Sequence, residues 1–298
     1  MKKGLGEVRS LAANEVSVVI PVYNRWGLLC SALHSVLRQT YSPSEIIVVD
    51  DGSDTPVTPE LKERFPQVQF IRQANGGVAS ARNNGIKKST GSWIALLDSD
   101  DQWEKTKLEK QVALLQKHSG LLAVHTGEKW MRNGNEVIPP AYLDKSPKTL
   151  WERSLKNCLI CPSSILLHRT LFDEIGWFDE SLPVCEDYDF WLRLLLHTEL
   201  GLVEERLVDK HGGHPDQLST TTWGMDRYRV QSLEKILTSG SLPENKQDAL
   251  ISALSEKLSI LAKGAAKRGK MEQAKQYREV LQKYQATPLL GNKAPLNQ

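Results

Sequence analysis

Ile94-Ala95-Leu96-Leu97-Asp98-Ser99-Asp100-Asp101 runs a short apolar segment straight into a cluster of carboxylates. The apolar part reads as a buried strand. Strand geometry sends side chains 98 and 100 to the same face, so the two carboxylates converge. Two carboxylates so placed could jointly hold magnesium or manganese, which take oxygen ligands and keep positions open for substrate phosphates. An acidic turn following a strand is the plain alternative, and the neighbouring segments decide between the two.

Working outward, the first half alternates β-branched runs with helical patterns. Residues 16–20 and 45–49 read as buried strands, 68–72 as a third and 92–97 as a fourth. Helical patterns lie between them at 27–38, 59–65 and 78–88. Near-continuous apolar strands separated by helices predict an α/β fold with a parallel sheet covered on both faces, whose ligands gather outside the carboxyl ends of the strands. Asp50, Asp51 and Asp98 all stand at such ends. The first strand is followed by Pro21-Val22-Tyr23-Asn24-Arg25 and not by the glycine fingerprint of a dinucleotide fold. Asp50 or Asp51 could accept from a ring N–H or a ribose hydroxyl while Gly52 turns the chain. A solvated Asp-Gly turn is the alternative.

The composition is that of an ordinary globular protein: of 298 residues 40% are apolar and 25% charged, enough for one substantial core plus an extension. A net charge of +2, with no basic run or recognition motif, gives no ground for a nucleic-acid partner. The absence of a signal-like segment or a long apolar run predicts a cytoplasmic protein. Four scattered cysteines, Cys30, Cys158, Cys161 and Cys185, argue against a disulfide framework. Cys158 and Cys161 form one C-x-x-C, but no second pair completes a zinc site, so both read as small buried side chains.

Four ordered segments carry a family resemblance: Pro21-Val22-Tyr23-Asn24-Arg25, Val48-Val49-Asp50-Asp51-Gly52-Ser53, Asn75 to Gly85, and Leu97-Asp98-Ser99-Asp100-Asp101. In letters, order and spacing they are similar to the signatures of the family 2 glycosyltransferases. The resemblance implies a GT-A-type, Rossmann-like α/β/α sandwich with a mixed, mainly parallel sheet, and an inverting transfer from a nucleotide-sugar donor, expected to be UDP-linked, to a carbohydrate or lipid-linked acceptor in polysaccharide or glycoconjugate assembly. It also implies a divalent cofactor, Mn2+ or Mg2+. Carried over position by position, it gives Asp50 and Asp51 to the base and ribose, with Pro21, Val22, Tyr23 and Arg25 lining the nucleoside. Asp98 and Ser99 would meet the ribose or phosphates, and Asp100 would be the principal metal ligand, with Asp98 sharing that task. Arg82 would offset diphosphate charge, its alternative being a surface arginine paired with a carboxylate.

Cys185-Glu186-Asp187-Tyr188 resembles the Glu-Asp segment that opens a helix in this family and whose Asp is taken as the catalytic base. An acceptor hydroxyl needs its proton removed as the new bond forms, which suits Asp187 at a helix start, with Glu186 as the alternative. Helix capping alone would explain both acids. Downstream, Asp209 to Ser219 reads as a polar loop after the last core strand. By resemblance His214, or less favourably His211, would complete the metal shell.

The remaining patterns are a charged helix to about 118, a strand at 121–125, a hairpin at 130–140, a strand at 163–168 and an amphipathic helix at 187–197. From Met225 to Tyr284 leucines recur at helical spacing, with breaks at 240–243 and 269. The expected organisation is an N-terminal segment to residue 15, a glycosyltransferase domain over 16–222 (a nucleotide-binding half to 101, an acceptor half beyond), a helical extension over 223–287, and a tail over 288–298. The extension's pair of helices around Gly264 to Tyr284 could serve as packing support, an oligomer contact or a peripheral membrane patch. A nucleotidyltransferase and a catalytically silent nucleotide-sugar-binding subunit are the rival functions; the first would carry a Gly-rich, basic phosphate loop after strand one, and the second would lack Asp100 or Asp187.

Overall fold

The apolar run Val16–Val22 forms strand β1, buried along its whole length. Alternate side chains enter opposite cores: Val16, Val18, Ile20 and Val22 in one, Val19 in the other. The structure is a computed structural model that describes residues 16–213, 222–240 and 242–285. Beside β1 lie β2 (Glu45–Asp50), β3 (Val68–Arg72) and β4 (Trp93–Leu96), all parallel, in the order β3-β2-β1-β4. The connecting helices are α1 (Trp26–Leu37), α2 (Pro59–Arg64) and α3 (Gly77–Lys88). The α/β architecture read from periodicity is thus observed.

Past β4 the sheet becomes mixed. Its order continues β4-β8-β6-β9-β5, with β8 (Leu166–His168) antiparallel to β4 and to β6 (Ala123–Arg132), and β9 (Gly201–Gly212) parallel to β6. The short strands β5 (Gln102–Trp103) and β7 (Asn135–Val137) are antiparallel to β9 and β6. One face is covered by α1 and α4 (Lys107–Lys117) through Leu29, Leu33, Leu108 and Val112. The other is covered by α3, α6 (Thr170–Glu174) and α7 (Glu186–His197), through Ile86, Phe172, Phe190 and Trp191. Helix α3 approaches the sheet so closely that a Cβ at Gly85 would stand 2.4 Å from Val19 Cγ1, so glycine is needed there.

Three helices follow: α8 (Asp226–Thr238), α9 (Glu244–Lys267) and α10 (Met271–Gln285). Their leucines, among them Leu233, Leu254 and Leu258, share a core with Tyr188 and Leu192 of α7 and with Trp151 and Leu155 of α5 (Leu150–Lys156).

Several expectations need correction. Strand β4 ends at Leu96, and the acidic run is a turn in which Asp101 N donates to Asp98 O at 3.0 Å, so strand alternation does not place 98 and 100 together. Strand β6 runs on to Arg132, past two register shifts on either side of Gly127. Ser163 lies in a 3-10 turn (Pro162–Ser164) ahead of β8. Asp209, Lys210, His211 and Gly212 are the end of β9 and not a loop. His214 and the rest of that expected loop lie outside the described residues.

Candidate active site

The carboxyl ends of β1 and β2 are stitched together by short side chains. Asn24, at φ 54°, donates its backbone N–H to Ser53 Oγ at 2.8 Å and exchanges two side-chain hydrogen bonds with Asp54. Asn tolerates this left-handed backbone better than most residues, which explains the residue type. Pro21 and Val22 are buried in β1, whereas the Tyr23 ring is 46% exposed at the strand tip, open to stacking. Asp50 accepts from Ser53 N at 2.9 Å and pairs with Arg72 at 2.8 Å. Asp51 accepts from Gln73 and from the backbone N–H groups of Gly76 and Gly77, at 2.8–2.9 Å, so it satisfies the orphan donors at the start of α3. All four oxygens of these two aspartates hold internal donors, and a ligand would bond to lone pairs that remain.

The turn after β4 gives its three carboxylates three different partners. Asp98 Oδ1 accepts from Arg82 Nη2 at 2.7 Å, and Asp100 Oδ2 accepts from Arg25 Nη1 at 2.8 Å. Ser99 between them is buried. Asp101 points inward, taking the Ser163 hydroxyl at 2.6 Å and the His211 backbone N–H at 2.9 Å, and so ties the turn to β9. Burial, and then the charges of Asp100 and Asp98, push its carboxyl well above the usual range. Sequence reasoning gave Asp101 no task. Its burial is visible only once β9 is in place.

Arg82 is the hub. Besides Asp98 it donates Nη1 to Glu186 Oε1 at 2.6 Å, and its guanidinium lies 5.5 Å from the Phe178 ring centroid. Burial alone would lower its pKa; Asp98 and Glu186 reverse this and hold it firmly charged. The Nε–H is buried without a partner among the described residues. Next to it, Asn83 clamps the segment ahead of α7 by accepting from Phe178 N and donating to Phe178 O and Glu180. That role was not visible in sequence, since the partners are some 95 positions away.

Helix α7 begins at Glu186 after Cys185 in the left-handed region, φ 66°. Glu186 is buried, and burial together with Asp187 raises its pKa to about 7 despite the opposing pull of Arg82. Asp187 is half-buried. Its Oδ2 accepts from Cys158 Sγ at 3.2 Å and its Oδ1 from the Tyr188 N–H at 2.7 Å. Cys161 is similarly aimed at Asp101, 3.7 Å away. Both thiols are pushed well up in pKa by burial. The C-x-x-C pair therefore supplies small thiol donors to two site carboxylates, Cys161 buried and Cys158 half-buried. Lys210 completes the floor: its ammonium lies 5.2 Å from the Trp130 ring centroid, and although burial opposes its charge, Cys161, Glu128 and Asp101 hold its pKa up.

Asp98 and Asp100 offer hard oxygen donors suited to Mg2+ or Mn2+, each with one oxygen engaged by an arginine. Among the described residues no group of three or more His, Cys, Asp or Glu side chains forms a closed metal cage. The donor set fits an ion completed by ligand phosphates. His211 Nδ1 is buried and without a partner among the described residues, and its main chain is the part bonded to Asp101.

A profile of the family described as Glycosyl transferase family 2 matches residues 17–176. An Escherichia coli protein named UDP-Glc:alpha-D-GlcNAc-diphosphoundecaprenol beta-1,3-glucosyltransferase WfgD is 31% identical over 192 residues, covering 63% of this chain and 72% of that one. An uncharacterized glycosyltransferase of Rickettsia bellii is 31% identical over 195 residues, which is 65% of this chain but 28% of the relative's length. The fold is similar to that of S. aureus TarS 1-349 in complex with UDP-GlcNAc, with a TM-score of 0.62 at 17% identity, over 90% of this chain and 92% of that one. No helix among the described residues is long and apolar enough to cross a membrane.

Proposed function

The chain belongs to glycosyl transferase family 2, and from that premise we propose that it is an inverting glycosyltransferase moving a sugar from a nucleoside-diphosphate donor, UDP-linked, to an acceptor hydroxyl. The observation that carries this reading is the bridge made by Arg82, which joins Asp98 of the β4 turn to Glu186, the neighbour of Asp187. One guanidinium thus links the place for a diphosphate to the place for a base.

In this reading Asp187 takes the acceptor proton as the oxygen attacks the anomeric carbon, and inversion follows from one in-line displacement. Among the described residues the half-buried carboxylate receives the Cys158 thiol and the Tyr188 N–H, which leaves lone pairs that can turn to an acceptor. Arg82 stabilises charge growing on the departing diphosphate. Tyr23 stacks on the base, and the strand ends at Asp50 and Asp51 shape the nucleoside pocket. Mn2+ or Mg2+, when bound, would be held by Asp98 and Asp100 with diphosphate oxygens and would neutralise leaving-group charge. The lipid-diphosphate acceptor in the name of the E. coli relative supports a lipid-linked or polysaccharide acceptor.

The test is incubation with a panel of nucleotide sugars and candidate acceptors, with manganese or with a chelator, reading free nucleoside diphosphate. Release that needs both acceptor and manganese is expected. Release of pyrophosphate would reassign the protein to nucleotidyl transfer, and tight binding without turnover across the panel would make it a silent subunit.

A further inference from the structure

Trp223, just ahead of α8, is 49% exposed, yet three cations surround its indole. Arg268 Cζ lies 4.3 Å from the ring centroid, Arg227 Cζ 4.9 Å and Lys270 Nζ 5.6 Å. Arg227 also fixes the ring's backbone, donating to Trp223 O at 2.7 Å and Gly224 O at 3.2 Å. Lys263 and Lys267 on the last turns of α9 are exposed, and Met271, next to Lys270, is 60% exposed. Of the neighbouring carboxylates, Asp226 pairs with Arg229 and Lys257, and Glu256 with Lys156. Within residues 263–272 the acid is Glu272, in the first turn of α10, against four cations.

Basic residues at the end of α9 complement its dipole. That does not account for cations converging from α8 and the α9–α10 turn on one half-exposed indole, nor for the exposed methionine next to Lys270. Cations around an aromatic ring, with apolar surface open to solvent, match a bilayer interface, where indoles sit at headgroup level and Lys and Arg meet anionic lipid. The patch also borders the site. Two residues after Trp223, Met225 O faces Cys185 Sγ at 3.8 Å, and Cys185 directly precedes Glu186.

We propose that Trp223 and Met271, with Arg227, Lys267, Arg268 and Lys270, form a docking surface for the anionic headgroups of a lipid bilayer. Docking there sets the start of α7 beside the membrane, so that an acceptor anchored in lipid meets Asp187 without leaving the bilayer. Charge and exposure define the surface independently of the reaction, and only the delivery of acceptor to Asp187 rests on the proposed function.

Co-sedimentation of the full chain with vesicles tests it without turnover. The protein should pellet with phosphatidylcholine vesicles that contain phosphatidylglycerol, stay in solution with phosphatidylcholine alone, and be released by high salt. Lys267→Glu/Arg268→Glu/Lys270→Glu should weaken binding at least ~100-fold, at roughly five-fold per cation lost. Trp223→Ala should weaken it with all cations retained, and Trp223→Phe should restore part of the loss. Unchanged thermal unfolding and unchanged nucleoside-diphosphate binding establish that the variants are folded. Failure of the wild type to pellet with anionic vesicles, equal pelleting of the triple variant, or retention on soluble dextran sulfate without vesicle binding would each overturn the proposal.

Discussion

Arg82 and Glu186, 104 positions apart in the chain, meet through a 2.6 Å ion pair whose side chains are 4% and 6% exposed. Each charge is buried because the other is there. Replacing Arg82 by Ala would leave Glu186 without its counter-charge and release Asp98, at a cost of ~3–5 kcal/mol. Arg82→Lys should recover part of this, since an ammonium cannot present two parallel donors to carboxylates on different elements. Urea unfolding of the three proteins measures the order wild type, Lys, Ala.

Glu186 gives stability a definite pH dependence. Its carboxyl is raised from an ordinary 4.5 to about 7 in the folded chain, so between those values the folded state binds more protons than the unfolded one. Stability from this residue is therefore greatest below about pH 4.5 and declines as pH rises toward 7, by at most ~3 kcal/mol. Glu186→Gln should flatten that slope. Unfolding midpoints at several pH values, wild type minus variant, check both sign and window; a difference rising with pH would refute the assignment.

Cys158 donates its thiol to Asp187 Oδ2, and the thiol's raised pKa keeps it a donor. Cys158→Ala should lower turnover about five-fold, the worth of one modest hydrogen bond of ~1 kcal/mol. Cys158→Ser should hold turnover near wild type. A lowered kcat with unchanged KM and unchanged thermal unfolding in the alanine variant would distinguish loss of an oriented base from a packing defect.

Asp101 is structural. Asp101→Ala removes the acceptor for the Ser163 hydroxyl and for His211 N–H, two buried donors, and should destabilise the protein by ~2–5 kcal/mol. Asp101→Asn should cost less, because its amide oxygen can still accept one of the two. Thermal unfolding separates them.

The first half of the fold was legible because β1 to β4 are short, apolar and bounded by turn residues, and their burial makes hydrophobic period and structure agree. The second half was less so. Strand β9 contains Glu204, Glu205 and Arg206, exposed beside the register shifts of β6, and these interrupt the alternation that would mark a strand. The acidic run looked like strand because four apolar residues precede it, yet the chain turns at Asp98. Among site residues, Arg82, Asp98, Glu186 and Asp187 are brought into one neighbourhood, as their motif order suggested. What spacing could not reveal was each side chain's partner: Arg25 on Asp100, Cys158 on Asp187, and the first N–H groups of α3 on Asp51. These depend on contacts between elements far apart in sequence.

In the proposed reaction the acidic turn and Arg82 form one cradle for a cation-bound diphosphate. Calorimetric titration of a series of nucleoside diphosphates, with manganese, into wild type, Asp100→Asn and Arg82→Lys tests it most directly. The account predicts binding of one diphosphate, UDP, that needs manganese in the wild type and weakens at least ~10-fold in each variant. Equal, manganese-independent affinity in all three folded proteins would contradict it.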